Sequence, residues 1–156
     1  MSNLFFGSSS FNQDIGSWDV SNVTNMSFMF SGSNMGFIIN PFNQDISYWD
    51  VSSVANMSGM FSFSRFNSPI GIWDVSKVSD MSYMFALSEF NQPIGNWDVS
   101  SVVDMNHMFD QCVNYNQDLS AWNVDNVILC ENFSVITPLW TLPKPNFTNC
   151  DPNYLP

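Results

Sequence analysis

The chain has 156 residues, enough for one domain with a continuous core and too few for two comfortable ones. Its cations are Arg65, Lys77 and Lys144 alone, against 14 acidic residues, and the net charge of −11 argues against nucleic acid and against an anionic membrane, since both need a basic surface. No stretch approaches the roughly 18 consecutive apolar residues of a membrane span.

One repeat organises nearly everything that follows. Trp18, Trp49, Trp73, Trp97 and Trp122 stand 31, 24, 24 and 25 residues apart. Seven residues before each is an aromatic (Phe11, Phe42, Phe66, Phe90, Tyr115), and five after each is a valine (Val23, Val54, Val78, Val102, Val127). Eight after each comes Met26, Met57, Met81, Met105 or Cys130, and the first four of these continue as Met-x-x-Met-Phe. A period near 24 lies in the range of leucine-rich repeats. The expected fold is a repeat solenoid of leucine-rich-repeat type over residues 1–133. Short parallel strands would stack one per coil, with short helical or irregular returns, and an irregular cap would follow over 134–156.

In chain order, Met1-Ser2-Asn3-Leu4-Phe5-Phe6 lacks the charged region, apolar run and cleavage site of a signal peptide, which implies a removed signal or a fragment of something longer. Met1, Leu4 and Phe5 fit the Met-x-x-Met-Phe register, so the chain is expected to open in mid-coil. Asn12-Gln13-Asp14 is turn chemistry, and Pro69 and Pro93 replace that Asp in two later coils. A strand is expected over 15–20, because Trp18 and Val20 are two apart and would point inward while Asp19 points out. Met26 to Phe30, apolar at i, i+3 and i+4, predicts one helical turn. The long first interval reads as a loop insertion near 34–41 with an unusually apolar centre, Met35 to Ile39.

The repeat Trp-Asp-Val-Ser-x-Val-x-x-Met-x-x-Met-Phe, followed by Phe-Asn-Gln-Asp-Ile, resembles the BspA-type leucine-rich-repeat surface proteins over residues 1 to about 133. The resemblance implies an extracellular or cell-surface location, an adhesive or binding role, and no catalytic residue. The segment Trp140 to Cys150 resembles the closing cap of such arrays. A Cys130–Cys150 disulfide would staple that cap to the last coil and leave Cys112 unpaired; the alternative is three buried thiols in a reducing compartment.

The outward column Asp19, Asp50, Asp74 and Asp98 is the candidate partner-binding surface. Carboxylates about 5 Å apart repel by roughly 1 kcal/mol even in water, so backbone amides, the neighbouring serines or a cation must offset them. Calcium is a candidate there, although the spacing matches no known calcium loop; no other cofactor is expected. The methionine columns read as packing in preference to copper ligation, and the tryptophans as core in preference to sugar platforms. The complete column Asn12, Asn43, Asn67, Asn91 and Asn116 reads as stacked amides satisfying a repeated turn. His107 is the single histidine and no triad recurs, so no enzyme activity is expected. Sequons at Asn22, Asn25, Asn56, Asn132 and Asn146 carry meaning only in a glycosylating host. The expected function is a protein- or glycan-binding adhesive module without catalysis. The alternative is a self-assembling subunit of a surface layer, fibre or appendage, whose partners are copies of itself.

Overall fold

At three of the four Trp-Asp-Val segments the side chains alternate as a period of two requires: Trp49 and Val51 are buried and Asp50 is exposed, and Trp73-Asp74-Val75 and Trp97-Asp98-Val99 repeat this. The backbone there is nevertheless not a strand. The Trp49 amide turns back to the Ile46 carbonyl (3.1 Å) and the Val54 amide to that of Val51 (2.9 Å), and each coil has the same two tight turns. A turn on either side leaves too few consecutive backbone groups to build a ladder.

The computed structural model describes residues 1–153, and among these there is no helix, no strand and no sheet, only six isolated bridge pairs. The expectation of a leucine-rich-repeat solenoid built from stacked strands is therefore corrected: turns, not strands, make these coils. The helical turn expected over Met26 to Phe30 is corrected as well. The Met29 amide does reach the Met26 carbonyl (3.2 Å), but Phe28 between them has φ +52°, and Gly59, Tyr83 and His107 at the equivalent positions have +58°, +57° and +55°. One left-handed residue stops a helix from propagating.

That left-handed residue turns alternate amides toward the same neighbouring coil. The N–H groups of Met81, Tyr83, Phe85 and Leu87 donate to the carbonyls of Asp104, Asn106, Met108 and Asp110 at 2.8–2.9 Å. The same four-bond seam joins each pair of coils, from Met1, Asn3, Phe5 and Gly7 on Asn25, Ser27, Met29 and Ser31 through to Met105, His107, Phe109 and Gln111 on Leu129, Glu131, Phe133 and Val135. Parallel bridges Asn25–Asn56–Asp80–Asp104–Leu129 mark its edge. A left-handed non-glycine residue costs about 1–2 kcal/mol, and the inter-coil hydrogen bonds it permits offset that cost.

Inside the stack, Phe30, Phe61, Phe85 and Phe109 interleave with Phe42, Phe66, Phe90 and Tyr115, with ring centroids 4.0, 3.9 and 4.0 Å apart for the first three pairs. The methionine columns are fully buried beside them. Each buried large side chain contributes on the order of 2 kcal/mol. The indole N–H of Trp49, Trp73, Trp97 and Trp122 donates to the carbonyl of Ile15, Ile46, Ile70 and Ile94 in the coil before, at 3.1–3.2 Å, which is how a buried Trp avoids an orphaned donor. Trp18 departs from the expected core role: it is 40 % exposed.

The insertion is a tight hairpin closed by reciprocal Ser33–Ile38 bonds of 2.8 and 2.9 Å. Its last part belongs to the repeat, because buried Asn40 accepts the Phe42 amide just as the Ser64 and Ser88 hydroxyls accept those of Phe66 and Phe90. At the other end, Trp140 takes the aromatic position 25 residues after Tyr115, and Asn116 accepts the Thr141 amide (2.9 Å) as it would that of another coil. The start of the expected irregular cap is thus a degenerate coil. The Cys130–Cys150 disulfide ties it down, and Cys112 is free and buried. The part of the expected cap at 154–156 lies outside the described residues.

Candidate functional site

Asp19, Asp50, Asp74 and Asp98 lie along one exposed edge of the stack, each on the short link between two tight turns and not on a strand. Every one accepts two hydrogen bonds from the serine two residues on. The amides of Ser21, Ser52, Ser76 and Ser100 lie at 3.0–3.1 Å and their hydroxyls at 2.6 Å. These turns arise because Asp followed two residues later by Ser offers a local acceptor to a backbone donor.

The serine hydroxyl, and then the serine amide, hold each of the four carboxyls below the ordinary Asp range. Asp19 and Asp74 push Asp50 the other way, as Asp74 does Asp98, but more weakly than the serine donors pull. The like-charge column is therefore offset by the serines and by backbone amides. One oxygen of each carboxylate is engaged by its serine, and the edge presents a regular, ionised row. Among the described residues no three His, Cys, Asp or Glu side chains converge as metal ligands.

Two further columns of the same turn lie beside it. Asn25, Asn56 and Asp80 cap Ser27, Ser58 and Ser82, and Asp104 caps the Asn106 amide. Asp14, Asp45 and Asp118 cap Gly16, Ser47 and Ser120. Asp104, half-buried, is shifted upward: burial raises its pKa above the ordinary Asp range, and neighbouring Asp80 adds to the effect. The recurrent spacing Asp-x-Ser or Asn-x-Ser carries the signal for all these turns but those ending at Gly16 and Asn106, and it favours turns over a strand.

The asparagine column does what its completeness suggests. Asn43, Asn67, Asn91 and Asn116 each donate their backbone amide to the side-chain oxygen of the asparagine one coil earlier, at 2.8–2.9 Å. Its side chains are committed to the stack. His107 is stacked on Tyr83 at 4.6 Å and lies 3.1 Å from the Asp110 carboxylate.

The model of one protein family, described as Mycoplasma protein of unknown function, DUF285, matches residues 1–87 and again residues 36–135. No curated protein matches the chain, and no solved structure does.

Proposed function

The chain belongs to the family described as Mycoplasma protein of unknown function, DUF285, and from that premise we propose that it is an extracellular or cell-surface adhesive module. It binds a protein or glycan on another surface through the Asp–Ser turn edge and has no catalytic activity. The observation that carries this reading is the repetition of one exposed, hydrogen-bonded carboxylate per coil at Asp19, Asp50, Asp74 and Asp98. Side chains fixed before contact lose little entropy on binding. The Cys130–Cys150 disulfide supports an oxidising compartment, and the resemblance of the repeat to BspA-type surface proteins supports an adhesive role.

The test is a variant with Asp19, Asp50, Asp74 and Asp98 all changed to Asn. Asn25 and Asn56 already cap the same turn with Ser27 and Ser58, so the fold is kept while four charges are lost. Beads carrying the chain should adhere to surfaces coated with basic proteins or glycoproteins, and the variant beads should adhere at least about fivefold less. Equal adhesion by the variant contradicts the reading. A second reading, a self-assembling subunit of a surface layer, fibre or appendage, draws on the bare tip of the insertion, where Met35 and Phe37 are 81 % and 86 % exposed. A concentration series in light scattering separates the two, since only the subunit grows in mass.

A further inference from the structure

On the side of the stack that carries the inter-coil seam, the left-handed residues place two columns of side chains outward. Two residues after the first Met stand Phe28, Gly59, Tyr83 and His107; six after it stand the left-handed Phe63, Leu87 and Gln111, with buried Gly32, which is not left-handed, at the same place in the earlier coil. Between the columns, five after the Met, run Ser31, Ser62, Ala86 and Asp110. Where the outer columns carry large side chains and the middle carries small ones, a groove must form. It does, with a volume of about 330 Å³, walled by Phe6, Phe28, Phe63, Tyr83 and Leu87 and reaching Asp110.

The groove is graded along its length. At one end the Ser31 and Ser62 hydroxyls bond each other at 2.7 Å and ask nothing of a ligand. Ala86 gives the centre an apolar floor, and Gly59 leaves a gap in the wall that the Phe28 ring leans across; a Cβ at Gly59 would overlap that ring. Asp110 closes the far end. Neither lysine nor the arginine lines it. The field there is negative: after burial itself, Asp104, Asp110 and Glu131 are what raise the Tyr83 phenol above its ordinary range. The uncharged insertion starts at the rim, since Ser33 and Asn34 line the groove, and carries its exposed apolar tip beside it.

We propose that this groove is a second binding site, for an extended segment of a partner protein that pairs an aromatic or branched apolar anchor with a neighbouring Lys or Arg. The anchor lies over Ala86 between Tyr83 and Leu87, and the cation reaches Asp110. Charge complementarity selects this occupant over a second copy of the chain, which would bring another net charge of −11 to an acidic groove. The inference rests on the binding-module reading for the class of partner, but not on the Asp–Ser edge, which uses other residues.

The experiment is selection of a displayed library of random short peptides on the intact chain, with counter-selection on a Leu87→Ser, Tyr83→Ala variant. Both residues are substantially exposed, so the variant keeps its core, and an unchanged melting temperature checks that it does. The expected result is enrichment of peptides pairing an apolar anchor with Lys or Arg. Their affinity should fall about tenfold on the groove variant and on Asp110→Asn, and stay within about threefold on the Asp-to-Asn edge variant. Replacing the anchor by Ser with all charges kept should abolish binding. Enrichment of acidic or wholly polar peptides overturns the proposal, as does binding indifferent to the groove variant. So does a concentration-dependent dimer that the groove variant dissolves, which would assign the groove to a second copy. Adhesion through the edge is read in its own assay, so either reading fails separately.

Discussion

Tyr115 stands where the other coils have Phe, and its hydroxyl is buried with no hydrogen-bond partner. Burial, and then the nearby Cys112, push its pKa well above the ordinary phenol range, so the phenol stays neutral and its hydroxyl is simply desolvated. Tyr115→Phe should therefore raise stability by about 1 kcal/mol, and the melting temperature by a few degrees; a lower melting temperature would mean that the hydroxyl has a partner. Asn67 is the opposite case. Its side-chain oxygen accepts the Asn91 amide at 2.8 Å and the Gln92 amide group at 3.2 Å, so Asn67→Ala strands a donor in the middle of the stack and should cost about 1–2 kcal/mol in denaturant unfolding.

The turn-capping carboxylates also set the response to acid. Asp19, Asp45, Asp50, Asp74, Asp98 and Asp118 are all held below the ordinary range by serine donors. A carboxyl with a lower pKa folded than unfolded contributes stability that is present above the unfolded value and is lost as pH falls through the folded one. Asp104, raised by burial, acts in the other direction, its contribution declining as pH rises through the same range. Six outweigh one, so the melting temperature should fall as pH drops from about 5 to about 3. A melting temperature that rises over that interval would show that repulsion along the column, and not capping, dominates.

At the scale of elements, the side-chain pattern was legible in the sequence and the backbone was not. Trp at an interval near 24, with Phe, Val and Met at fixed offsets, located the core columns, and the solvent side of Asp50, Asp74 and Asp98 followed from alternation. Alternation is shared, however, by a strand and by a short extended link between two turns, and the Asp-x-Ser spacing decides for the link. Likewise Met-x-x-Met-Phe satisfies a helical period, and the left-handed residue inside it was only partly announced: Asn3, Gly59 and Asn132 are types that favour that conformation, whereas Phe28 and Tyr83 at the same position are not. The C-terminal coil was legible in principle. Trp140 and Phe147 keep the seven-residue aromatic-to-indole spacing 25 residues after Tyr115 and Trp122, hidden by the prolines between them. Since the disulfide holds this coil to the one before across 20 residues, Cys150→Ser should lower stability by about 3 kcal/mol and make the last residues the first to be cleaved by protease; resistance equal to wild type would show that Trp140 packing alone suffices.

At the scale of the whole molecule, a repeat that lacks helix and strand still stacks, because each coil offers its neighbour a seam of backbone donors, an asparagine bond and an indole bond. What those bonds leave outside is equally regular: an ionised Asp–Ser edge and, across the stack, an apolar groove ending at Asp110. Both surfaces depend on where the seam lies. Amide hydrogen exchange resolved by residue tests that most directly. The account predicts slow exchange at Met81, Tyr83, Phe85 and Leu87, whose N–H groups donate to the next coil, and fast exchange at Asp50, Asp74 and Asp98, whose amides have no acceptor among the described residues. Slow exchange at Asp50, Asp74 and Asp98 together would mean that strands stack through Trp-Asp-Val after all, and would contradict it.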